Sequence, residues 1–247
     1  AHLLRPPVQS GGGGLQAGER AGAGGAYRDL VKAALDQDTT GYYRYCNKDR
    51  TSGSTGMPMH TCLAPAEYAA VIAQMLFILD KNGYRVFRDS SMDVRSPLHE
   101  GPGNAKSLLQ RIGLLRKYYV SSSDSPEYII QKLNQLRPDQ FKANKSIMHA
   151  ILQYAEEHQI ELHPAKYIVS SAEPMDDITR ELICKYFGPN ALIDIYASTE
   201  AGLLGYTMRD DSHKFHLNPS HYLYTIKNKL GELDNYGELY ITNLYMK

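Results

Sequence analysis

Tyr167-Ile168-Val169-Ser170-Ser171-Ala172-Glu173-Pro174, followed to Ala191-Leu192-Ile193-Asp194-Ile195-Tyr196, decides the fold. The first apolar run is short and ends at Ser171, which predicts a buried strand. Pro174 to Phe187 reads as a helix, closed by Gly188-Pro189. Ala191 to Tyr196 is again apolar and predicts a second buried strand. A strand, a helix and a strand with short joints form a parallel crossover unit.

Working outward, Pro65 and Glu67 open a helix whose apolar face is expected at Ile72, Met75, Leu76 and Leu79, with Gly83 as its stop. A polar, irregular stretch follows to about Gly103, and Leu114 to Ser122 predicts a strand. Ser125-Pro126-Glu127 is a helix start, with a hydroxyl cap, a proline at the first turn and an acid at the positive end of the dipole. That helix ends before Pro138. Another runs from Lys145 to His158, with Ile147, Ala150, Ile151 and Tyr154 on its apolar face. From Leu203 the pattern changes to short strands over 203–208, 222–226 and 237–244. The expected fold class is α/β: a mostly parallel sheet with flanking helices, plus a smaller β-rich subdomain. Residues 1–26, rich in glycine, read as a flexible segment. Residues 27–202 read as the α/β core and 203–247 as the β-rich part.

Composition narrows the function classes. Formal net charge is zero over 247 residues and no long basic run stands out, which argues against nucleic acid as a principal partner. No apolar stretch is long enough to span a bilayer. Cys46, Cys62 and Cys184 are odd in number and scattered, as in reduced cytoplasmic proteins.

In a parallel α/β sheet, ligands bind beyond the carboxyl ends of the strands. Ser171 to Glu173 and Tyr196 to Glu200 both follow predicted strands and so open into one crevice. Asp194 is a charge inside an apolar strand, costly there unless it is partnered. Far upstream, Thr51-Ser52-Gly53-Ser54-Thr55-Gly56-Met57-Pro58 alternates glycines with small hydroxyls. Glycine lets successive N–H groups turn into one concavity, and the hydroxyls add donors, which suits a polyphosphate or an ordinary polar loop. It is not a Walker A loop, since no Lys-Ser or Lys-Thr follows the second glycine.

Four runs in this order resemble the adenylate-forming, acyl-activating superfamily: Thr51–Pro58, Ser171–Pro174, Tyr196–Glu200 and Gly237-Glu238-Leu239-Tyr240-Ile241-Thr242. The likeness is to the phenylacetate–coenzyme A ligase branch, which takes in capsular polysaccharide biosynthesis proteins, and covers roughly residues 27 to 247. It implies the large N-terminal core of such an enzyme. It further implies that Thr51, Ser52, Gly53, Ser54, Thr55 and Gly56 cradle the β- and γ-phosphates of ATP. Ser171, Ala172 and Glu173 pack against the adenine, and Asp194 reaches its amino group. Ile195, Tyr196, Ala197 and Ser198 line the nucleotide. Thr199 contacts the α-phosphate and Glu200 holds Mg²⁺ as the catalytic pair. A carboxylate beside a triphosphate needs such a hard cation between them.

The implied reaction joins a small-molecule carboxylic acid to AMP and passes the acyl group to a thiol, from coenzyme A or the phosphopantetheine arm of an acyl carrier protein. The resemblance also admits a homodimer. Two departures stand out. In the family a glycine and a proline precede the helix bordering the acyl pocket, whereas here Lys142-Ala143-Asn144 stands. The sequence ends at Lys247, before the aspartate-bearing motif that grips the ribose and before the mobile C-terminal domain with its lysine. The expectation is therefore an adenylating core lacking that domain, with a catalytically silent nucleotide-binding scaffold as the alternative.

Overall fold

A computed structural model describes residues 46–50, 60–96, 116–198, 202–218 and 222–244. The predicted flexible segment 1–26 lies outside the described residues. Four helices are described: α1 (Pro65–Lys81), α2 (Pro126–Leu136), α3 (Lys145–Glu157) and α4 (Asp177–Phe187). The strands are β1 (Asn47–Arg50), β2 (His60–Leu63), β3 (Ser91–Arg95), β4 (Lys117–Ser121), β5 (Gln140–Lys142), β6 (Tyr167–Ser171), β7 (Leu192–Ser198), β8 (Gly202–Met208), β9 (Asp211–Leu217), β10 (Tyr222–Lys227) and β11 (Glu238–Asn243).

Seven of these strands form one sheet in the order β4-β3-β5-β6-β7-β8-β9. The pairings β4–β3, β3–β5, β5–β6 and β6–β7 are parallel, and β8–β9 is antiparallel. The α/β class and the crossover from β6 through α4 to β7 are as expected. The predicted β-rich stretch divides: β8 and β9 belong to the large sheet, while β10 and β11 pair in a two-stranded sheet of their own. The chain falls into two compact units. One holds the described residues 74–96, 116–198, 203–218 and 222; the other holds 46–50, 60–73, 202 and 223–244.

Strand alternation supplies both faces of the sheet with apolar side chains. Met92, Val94, Val120, Phe141, Ile168 and Leu192 point to the face covered by Ile129 and Leu133 of α2, Met148 and Leu152 of α3, and Ile183 of α4. Their neighbours Tyr167, Val169, Ile193 and Ile195 point the other way, onto Ile78 and Leu79 of α1. Each fully buried side chain of this size contributes about 1.5–3 kcal/mol.

Four expectations need correcting. α3 buries Met148, Ile151, Leu152 and Ala155, so only Ile151 of its predicted apolar face is buried and Ala150 is exposed. α1 buries Gln74, Ile78 and Leu79, while Ile72 and Leu76 of the predicted apolar face are exposed. The polar stretch before Gly103 contains β3, whose first four residues are all buried. α4 begins at Asp177 rather than at Pro174, because the Asp176 carboxylate accepts from the Thr179 N–H at 2.7 Å and sets the cap there.

Candidate nucleotide site

The carboxyl ends of β6 and β7 lie side by side. Ser170 pairs with Asp194 and Ser171 with Ile195, so the segments Ser171–Glu173 and Asp194–Ser198 are brought together at one edge of the sheet. Thr51–Gly56, Thr199 and Glu200 lie outside the described residues.

The loop after β6 is held by two carboxylates. Glu173 accepts from the Ser146 backbone N–H at 2.7 Å and from the Ser146 hydroxyl at 2.8 Å. Ser146 is in the first turn of α3, whose own cap residue, Asn144, makes no side-chain bond. Glu173 therefore satisfies from a distant loop the N–H that the local cap leaves open. Asp176 pairs with Lys145 at 2.8 Å while capping α4. The Lys145 ammonium, aided by the Thr179 N–H, draws the Asp176 carboxyl down to about 2. Between these anchors Ala172 adopts φ 73°, left-handed backbone that costs a residue with a Cβ on the order of 1 kcal/mol. Its methyl side is exposed, and Ser171 is half-buried. The expected adenine contact by Glu173 thus competes with a structural task its carboxylate already performs.

On β7, side chains alternate between the two faces. Ile195 enters the apolar cluster above α1, and Asp194 turns toward the α4 side. Asp194 is 4% exposed. Burial pushes its carboxyl up to about 6, with the Arg180 guanidinium and the Ile195 N–H opposing. Arg180, from α4, is fixed by donating Nη1 to the Ser212 carbonyl at 2.8 Å and to its hydroxyl at 3.0 Å. The Asp194 N–H donates to Thr207 Oγ1 at 2.8 Å, which ties β7 to β8. An aspartate carboxylate is a hydrogen-bond acceptor and can receive a bond from an amine.

Tyr196 is exposed, and its ring meets Phe215 of β9 edge to face, with centroids 6.4 Å apart. Tyr196 thus has an aromatic neighbour and remains partly accessible. Ala197 and Ser198 are half-buried. The sequence reading missed Arg180, Ser212, Thr207 and Phe215. Arg180 sits among helix-forming residues with nothing local to mark it, and the others come from strands beyond the crossover unit.

The fold has many relatives among solved structures. One is an open conformation of 2-hydroxyisobutyryl-CoA ligase, in complex with 2-HIB-AMP and CoA: TM-score 0.64, 17% identity, 87% of this chain and 53% of that one. The fold is that of the N-terminal core of adenylate-forming enzymes. The anthranilate CoA ligase AuaEII, in complex with anthranoyl-AMP, aligns with TM-score 0.60 and 15% identity, over 82% of this chain and 40% of that one. The apo structure of MbtA from Mycobacterium smegmatis aligns with TM-score 0.57 and 14% identity, over 79% and 36%. The chain thus spans about half the length, or less, of these structural relatives. No protein-family model and no curated protein matches the sequence.

Proposed function

We propose that this chain is the nucleotide-binding core of an acid–thiol ligase that activates a carboxylic acid as its acyl-adenylate. The observation that carries the reading is the adjacency of Ser171–Glu173 and Asp194–Ser198 at the carboxyl edge of a sheet with the adenylate-forming fold. Asp194 offers an acceptor to the adenine amine, and the open Tyr196 ring, braced by Phe215, offers a stacking surface. Thr51 to Gly56 supply N–H and hydroxyl donors for the β- and γ-phosphates.

The acid's carboxylate attacks the α-phosphorus of ATP. The bond to the bridging oxygen breaks, pyrophosphate leaves, and acyl-AMP remains. A thiol then attacks the acyl carbonyl and AMP departs. This chemistry depends on positioning and charge neutralisation rather than on a covalent enzyme intermediate. Thr199 donates to the α-phosphate oxygens. Glu200 has the hard oxygen donor that Mg²⁺ prefers, and the ion when bound offsets phosphate charge. Coenzyme A or a carrier-protein thiol is the acceptor, and the protein works in the cytoplasm. Among the described residues no helix is long and apolar enough to cross a membrane.

Acid-dependent ATP–pyrophosphate exchange tests the reading. Exchange should appear with some member of a broad carboxylic acid panel and fall by about a hundredfold or more in Glu200→Ala, the scale for losing one transition-state charge partner. ATP binding without exchange across the panel would mark the chain as the silent scaffold instead.

A further inference from the structure

The strand order reverses at β3, which lies between β4 and β5. Such a reversal opens a crevice beyond the carboxyl ends of the two strands that part there. Alternation places Ser91, Asp93 and Arg95 on one face of β3, and register sets Asp93 between Lys142 on β5 and Tyr119 on β4. Lys117 lies two residues before Tyr119, on the same face. The Arg95 guanidinium pairs with the Asp93 carboxylate at 2.9 Å and lies over the Tyr119 ring at 4.3 Å. On β6 and β7 this same face is apolar and covered by α1; on β3 to β5 it is charged.

Three cations here face one carboxylate, and that carboxylate, buried, is already committed to Arg95. Among the described residues the Lys142 ammonium makes neither a hydrogen bond nor a salt bridge, while its backbone lies in the β3–β5–β6 ladder. Burial pushes its ammonium below the usual lysine range; Asp93 opposes this, and Arg95 and Lys117 reinforce it. A half-buried cation crowded by two like charges is stabilised by an anion. Lys142 also pairs in register with Val169, two residues before Ser171 and on the same face. Neighbouring strands are about 4.8 Å apart, so an acid whose reacting carboxylate is held at the end of β6 extends its far end over β5 and β3.

Resting on the adenylating function proposed above, we propose that Lys142 and Arg95 receive a second anionic group on the acid substrate, a carboxylate or a phosphate. The ligase then selects a dianionic acid over its singly charged counterpart.

Thermal shifts of the purified chain at matched ionic strength, with and without ATP, test this. Butyrate is compared with succinate, hexanoate with adipate, and glycerate with 3-phosphoglycerate. The dianionic member of at least one pair should stabilise the chain at lower concentration; which pair responds distinguishes carboxylate from phosphate. Lys142→Met and Arg95→Gln should each weaken that response by about tenfold or more, as when one partner of a buried charge pair is truncated. Lys142→Arg should keep the response. The ATP-induced shift should be unchanged in all three variants. Equal responses within every pair, or a preference that survives Lys142→Met, would overturn the proposal. If Lys142→Met fails to fold, Arg95→Gln decides in the same way. Absence of any ATP shift in the wild-type chain would instead sink the adenylating reading.

Discussion

Asp194 is the buried carboxylate that the proposed function uses as an acceptor, and its electrostatics can be tested directly. Burial holds its carboxyl at about 6 against an ordinary 3.8, so the folded chain keeps a proton that the unfolded chain has released. The stability from this group is present below about pH 4 and is lost as pH rises through about 6. A gap of this width corresponds to at most about 3 kcal/mol. Asp194→Asn should therefore flatten the fall in urea midpoint between about pH 4 and about pH 6; parallel wild-type and variant curves would refute the assignment. Asp176 has the opposite sign. Its carboxyl is held down at about 2, so its contribution is fully present above about pH 4 and is lost as pH falls through about 2, on the acid side of the Asp194 window. The sequence marked Asp194 as a charge out of place. It gave no sign of Arg180, because that partner comes from another element and is fixed by a residue on β9.

At the scale of elements, the loop after β6 is fixed by what it does for α3. Glu173 accepts two hydrogen bonds from Ser146, and no local side chain performs that task. Glu173→Ala should cost about 1 kcal/mol in urea unfolding, the usual cost of a lost cap, whereas Glu173→Gln, which keeps an acceptor, should cost less. Equal losses would mean that charge rather than capping matters. Caps are also where the sequence was most legible. Ser125 accepts from the Tyr128 N–H as its Ser-Pro-Glu context implied, because the interaction spans only three residues. β3 and β5 were illegible for the converse reason. Asp93, Arg95 and Lys142 look like surface residues until non-local pairing sets them in mid-sheet, and β5 is too short to show a period. The face of α1 was misread because Gln74 is buried where Ile72 and Leu76 are not.

Across the whole molecule, the two compact units depend on different determinants. The second contains Gly237, whose φ is 153° and where an added Cβ would run into the Lys227 carbonyl. Gly237→Ala should open the pairing of β10 with β11, seen as faster amide exchange at Ile226 and Tyr240. Amides of β6 and β7 should keep their protection; uniform loss across both sheets would show that the units unfold together. The α/β class was readable because apolar runs of strand length alternated with helical periods. The loop Thr51–Gly56 and the pair Thr199 and Glu200 lie outside the described residues, so their roles rest on the likeness of their sequence alone. The alternation of Asp194 and Ile195 between opposite faces has a further consequence. A slip of β7 by a single position would drive a carboxylate into the hydrocarbon above α1 and turn an isoleucine toward a guanidinium. Mispairing of this strand is therefore self-defeating, and the alignment that builds the core is the one that sets the Asp194 carboxylate against Arg180.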